Sequence, residues 1–114
     1  MSDKKFDVLL IYNNLDYNAV EILASKLEDA GLRVWFDRWQ IIPGSTWRNE
    51  YFQAIAEAQI IFVCIGPKSL DEYSKNQLAI AIFRRESRKD CVIIPVLLPG
   101  SSLEDIPPEL KDVQ

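Results

Sequence analysis

The chain of 114 residues contains no histidine, one methionine, two cysteines and four glycines. Without histidine it lacks the commonest metal ligand and the commonest general base, so a Ser-His-Asp triad is excluded and no metal site is expected. Basic charge is also short: 13 Lys and Arg stand against 17 Asp and Glu, for a formal net charge of -4. That balance is not the basic footprint of a nucleic-acid binder, and no direct contact with nucleic acid is expected. No apolar run approaches the length of a membrane span. The run that follows Met1-Ser2-Asp3-Lys4-Lys5 stops at Tyr12 and has no small-residue cleavage pattern, so a cytoplasmic protein without membrane association is expected. Neither GxGxxG nor a P-loop occurs, which leaves Rossmann-type dinucleotide binding unsupported.

What remains is the balance of a folded domain, 48% hydrophobic and 26% charged. Four short apolar runs alternate with three helical patterns in the order β-α-β-α-β-α-β: Phe6 to Ile11, Leu32 to Phe36, Ile60 to Ile65 and Cys91 to Leu98 are the strands. The third is apolar throughout, as in a parallel strand covered by helices on both faces. Val20, Leu23, Ala24 and Leu27 form the stripe of a first helix, with Asn18 and Glu21 spaced as a capping box and Gly31 placed to end it. Trp47, Tyr51, Ala54, Ile55 and Ala58 make a second stripe, opened by Ser45 or Thr46 as N-cap. A third helix starts near Ser74, which with Gln77 spells a capping box. It turns Leu78, Ala81 and Ile82 inward and ends on the basic Arg84, Arg85, Arg88 and Lys89.

Strands alternating with helices imply an α/β, flavodoxin-like doubly wound parallel sheet of order 2-1-3-4, with a fifth strand and a last helix expected beyond Gln114. Residues 1–114 are then one domain, the N-terminal part of a longer chain. Pro95 fits an edge strand. Cys64 late in the third strand and Cys91 at the start of the fourth would lie ~13 Å apart at about 3.3 Å per residue, too far for a disulfide, so both read as small core residues.

Ligands in such sheets sit outside the carboxyl ends of the strands where strand order reverses, here between strands 1 and 3. The walls would be Tyr12-Asn13-Asn14-Leu15-Asp16 and Gly66-Pro67-Lys68-Ser69. A receiver domain would need acidic residues after strand 1 and an aspartate ending strand 3, and a flavodoxin a Ser/Thr/Gly phosphate cradle; neither is present. The loop from Asp37 to Gly44 is long and carries Trp39, Ile41 and Ile42, the composition of a binding or assembly loop. Trp35, by its strand position, is core.

Phe6 to Tyr12 with Asp16, Gly31 to Asp37 followed by Ile42-Pro43-Gly44 and Trp47, Ile60 to Pro67 with Ser69, and Val92 to Gly100 together resemble a bacterial-type TIR (Toll/interleukin-1 receptor) domain over nearly the whole chain. Many such domains cleave the nicotinamide-ribose bond of NAD, with a glutamate early in the third helix and, four residues before it, an aromatic residue that stacks on nicotinamide. By resemblance the aromatic position is Tyr73 and the glutamate position is Gln77, and Tyr12, Asn13, Asp37 and Ser69 are placed to contact substrate. NAD is then a substrate and no cofactor is implied.

The departure at Gln77 has a chemical meaning. Cleaving an N-glycosidic bond builds oxocarbenium-like positive charge on the ribose, which a carboxylate stabilises and a neutral amide does not; the loss is about 3 kcal/mol, on the order of a hundredfold in rate. Gln77 marks either an inactivated copy of an NAD-cleaving effector, the reading that the otherwise complete motif favours, or a non-catalytic TIR–TIR assembly adaptor. The resemblance further implies self-association through Trp39, Ile41, Ile42, Pro43 and Gly44, and a role in prokaryotic antiviral defence. There the chain would join a sensor domain or a partner such as a short Argonaute.

Overall fold

The computed structural model of the protein describes residues 6–40, 47–87 and 91–111. Strands β1 (Val8–Tyr12), β2 (Val34–Trp35), β3 (Ile60–Ile65) and β4 (Val92–Leu97) form one parallel sheet in the order β2-β1-β3-β4, as the alternation of the sequence predicts. Pro95 lies in β4, the edge strand opposite β2.

The pleat sorts side chains between two layers. Leu9, Ile11, Trp35, Ile61, Val63, Ile65 and Ile93 point to one face, where they meet Tyr51, Ala54, Ile55, Leu78 and Ala81 of helices α3 (Trp47–Glu57) and α4 (Glu72–Ser87). Val8, Leu10, Tyr12, Val34, Phe36 and Cys64 point to the other, packing on Val20, Leu23, Ala24 and Leu27 of α1 (Tyr17–Asp29). Covered on both faces, β1 is buried at all five positions. Cys64 and Cys91 are buried and not disulfide-bonded; burial, aided by the charge of Asp16, pushes the Cys64 thiol up to about 12, so it is inert at neutral pH.

The structure corrects three local expectations. The strand at Leu32 to Phe36 shrinks to two residues. Pairing with β1 is limited to Val8↔Val34 and Leu9↔Trp35, after which Asp37 starts a helical turn, α2 (Asp37–Gln40), where a loop was expected. Helix α1 is not opened by Asn18 and Glu21. A 3-10 turn at Asn14–Asp16, capped by the Asn13 side chain on the Leu15 N–H at 2.8 Å, feeds directly into Tyr17, and Glu21 accepts from the Tyr17 hydroxyl instead. Helix α4 likewise starts at Glu72. Asp71 caps it by accepting the Ser74 N–H at 2.9 Å while the Ser74 hydroxyl bonds back, so Ser74 and Gln77 are not a capping box.

Gly31 ends α1 as expected, at φ 97°, with its own N–H on Glu28 O and the Leu32 N–H on Leu27 O. This is the two-bond termination that needs a left-handed residue. Ser45, Thr46, Ile41, Ile42, Pro43 and Gly44, and Arg88 and Lys89, lie outside the described residues.

Candidate functional site

Because the sheet is parallel, all four carboxyl ends emerge at one edge, and the residues after them form a crevice. Tyr12 closes β1 there, and its hydroxyl donates to Asp37 Oδ1 at 2.6 Å, tying the end of β1 to the start of α2. The Tyr12 ring packs against Phe36 at 5.4 Å, and Phe36 in turn holds Trp39 edge-on at 5.2 Å. Trp39 nonetheless stays 40% exposed, so one side of the indole is anchored and the other is open.

From the opposite layer, Tyr51 of α3 is fully buried, rests edge-on against Trp35 at 5.7 Å, and donates its hydroxyl to the backbone carbonyl of Gln77 at 3.0 Å. Burial holds this phenol well above the ordinary tyrosine range, and the neighbouring Tyr73 and Asp37 add to the effect. Tyr51 of α3 thus touches Gln77 of α4 directly and lies within electrostatic reach of Tyr73 and of Asp37 of α2. Gln77 is 4% exposed, on the face of α4 that also buries Ser74, Leu78 and Ala81, whereas Tyr73 one turn earlier is 39% exposed. A buried polar side chain beside a half-exposed ring is what the spacing of four on one helix produces.

The β1 and β3 loops are built differently. Asn13, 4% exposed, spends its carbonyl oxygen on Leu15 N–H and donates its Nδ2 to the Ser69 carbonyl at 3.2 Å. The Ser69 hydroxyl donates to the Asp105 carbonyl at 2.8 Å. Ser69 sits at φ 58°, a left-handed conformation rare for a residue with a side chain, and is held there from three directions, its own N–H bonding Gly66 O. Of the substrate candidates, Asn13 and Ser69 therefore lock the crevice wall, Tyr12 and Asp37 are bonded to each other, Tyr73 is half-exposed and Gln77 is buried.

Beside that wall, Asp16 lies directly against Gly66, where any Cβ would collide with its carboxylate, and its Oδ2 is buried without a hydrogen bond. Burial raises its pKa, and the negative charge of Asp71 raises it further. Burial acts on Asp71 too, but bonds from the Ser74 hydroxyl, the Ser74 N–H and the Asn14 N–H outweigh it and hold that carboxyl below the usual range. Asp71 ionises first, so the repulsion falls on Asp16.

Reading the sequence alone misses Tyr51 and Asp71. Tyr51 counts as one more apolar residue on a helical stripe, yet a buried tyrosine needs a hydrogen-bond partner, and that need was the available signal. Among the described residues no cluster of three or more metal-ligating side chains occurs, and no helix is long and apolar enough to cross a membrane. Away from the crevice, an apolar groove of about 370 Å³ runs between α3 and α4, lined by Phe52, Ala79, Ile80, Phe83 and Arg84.

Comparison with known proteins gives consistent results. A family model described as TIR domain matches residues 8–114. A stimulator of interferon genes protein from Magallana gigas is 27% identical over 97 residues, 84% of this chain and 23% of that protein, so the chain spans less than a quarter of the curated relative it matches. Among solved structures, a metazoan TIR-STING receptor from C. gigas superimposes with a TM-score of 0.76 at 24% identity, over 96% of this chain and 36% of that one. The TIR domain of the Toll-related Receptor TRR-2 from Hydra magnipapillata does so with 0.74 at 22% identity, over 96% and 81%. The TIR domains of the activated Roq1 resistosome follow with 0.72 at 20%, over 81% and 57%. At such identities the structural likeness is one of fold.

Proposed function

Since the chain belongs to the TIR domain family, we propose that its crevice is an NAD-cleaving site held silent by Gln77. In the reaction the C1′–N bond of the nicotinamide riboside breaks and its electron pair leaves with neutral nicotinamide. Water then attacks the ribosyl cation and releases a proton, giving ADP-ribose. Tyr73 stacks on nicotinamide, Asp37, oriented by Tyr12, accepts from ribose hydroxyls, and position 77 faces the charge that develops on the sugar. The observation that carries the reading is the Tyr51 hydroxyl on the Gln77 carbonyl, within electrostatic reach of Tyr73 and Asp37, at the carboxyl edge where this topology puts its ligands. With an amide at position 77 the ribosyl cation has no carboxylate beside it there.

The finer setting extends this reading. The domain serves as the effector of a prokaryotic antiviral defence protein, joined to a sensor or paired with a short Argonaute, and it works in assemblies of TIR domains through the segment that begins at Trp39. A second reading, a non-catalytic assembly adaptor, is favoured by Gln77 itself and by the half-open indole of Trp39. One measurement separates the two: nicotinamide release from NAD by the chain as it stands and by Gln77→Glu. The expectation is little or no turnover for the first and a gain of about a hundredfold or more for the second. Strong cleavage by the Gln77 form refutes the mechanism, and silence of both forms favours the adaptor.

A further inference from the structure

We propose that Tyr51 is a positioning residue, whose hydroxyl on the Gln77 backbone carbonyl fixes how the side chain at position 77 meets the crevice. The inference deepens the NAD-cleaving reading and rests on it. Three observations carry it.

The contact is long-range in sequence, joining α3 to α4 across 26 residues, and it is buried. The acceptor is residue 77 itself, in the second turn of a 16-residue helix whose carbonyls are already engaged by the helical ladder. The phenol therefore adds a second donor to a satisfied oxygen, which makes it a tether of one turn of the helix and not a rescue of an orphaned group. Finally, the donor is rigid. The Tyr51 ring is fully buried and clamped edge-on by Trp35, itself on β2, so the tether refers position 77 to the sheet end that also carries Asp37.

The carbonyl and side chain of one residue share a Cα, so pinning the first at 3.0 Å limits the second. Reactions at such sites are sensitive to displacements of about 1 Å, which can cost on the order of a hundredfold in rate. The phenol stays protonated across the working pH range, because burial together with Tyr73 and Asp37 opposes its ionisation, so the donor is always available.

The test compares Gln77→Glu with the double variant Gln77→Glu/Tyr51→Phe, which keeps the ring and removes only the hydroxyl. The expected result is a fall in kcat of about tenfold with KM within about twofold. Ile55→Val, one turn further along the same buried stripe, serves as the control for simple loosening of the core and should leave kcat at the Gln77→Glu value. A double variant with unchanged kcat overturns the proposal. A second readout does not depend on turnover: in the chain with Gln77, Tyr51→Phe should shift the side-chain amide resonances of Gln77, and Ile55→Val should not. If Gln77→Glu releases no nicotinamide, the NAD-cleaving reading fails on its own and these resonances decide the role of Tyr51, movement supporting it and none overturning it.

Discussion

Asp16 is the residue whose environment works against it. It holds a carboxylate against Gly66, with one oxygen buried and unbonded and Asp71 nearby as a standing negative charge. Its pKa is raised on folding, so the folded chain keeps this proton more tightly than the unfolded one, and stability falls as pH rises from the ordinary value of 3.8 through the raised one. Asp71 has the opposite sign: its lowered pKa contributes stability above 3.8 that is lost as pH falls through the folded value. Asp16→Asn should therefore be more stable than the parent at pH 7 and equal to it at pH 3, where Asp16 is largely protonated in both states. Urea unfolding at the two pH values checks this, and a stability difference that is the same at both would show that the charge of Asp16 is not what costs. Nothing in the sequence announces this pair, because residues 16 and 71 meet only once β1 and β3 are adjacent. Gln77, by contrast, stands out through the resemblance to TIR domains, which gives the position four residues after Tyr73 its meaning.

At the scale of elements, α1 shows how far local chemistry is legible. Its stripe of Val20, Leu23, Ala24 and Leu27 and its stop at Gly31 are written in the sequence and recur in the structure. Its start is not, since Asn13, which belongs to the β1 loop and also holds Ser69, turns the chain well before the Asn18 to Glu21 spacing implies. The same holds for α4, where Asp71 took the cap from Ser74 because it also receives the Asn14 N–H. The starts of α1 and α4 are set by the loops after β1 and β3, the end of α1 by its own Gly31. Gly31→Ala tests the latter. A Cβ there meets nothing within 4 Å, so the cost is the left-handed backbone alone, about 1 kcal/mol. Denaturant unfolding should register that loss with the m-value unchanged; a cost several times larger would mean that the turn also carries tertiary packing.

For the molecule as a whole, strand alternation was enough to give the sheet order and hence the edge at which a ligand belongs, because parallel topology leaves one choice of crevice. Which side chains face that crevice was legible only in part. Tyr12 is bonded to Asp37 and Gln77 is tied through its backbone to Tyr51, while the Asn13 amide and the Ser69 hydroxyl are spent on the wall itself. The measurement that bears most directly on this account is a titration of the isotopically labelled chain, Gln77 in place, with NAD, read residue by residue by NMR. The account predicts shifts concentrated at Asp37, Tyr73 and Gln77, with the NAD left intact; an absence of shifts there, or shifts confined to the groove lined by Phe52 and Phe83, would contradict it.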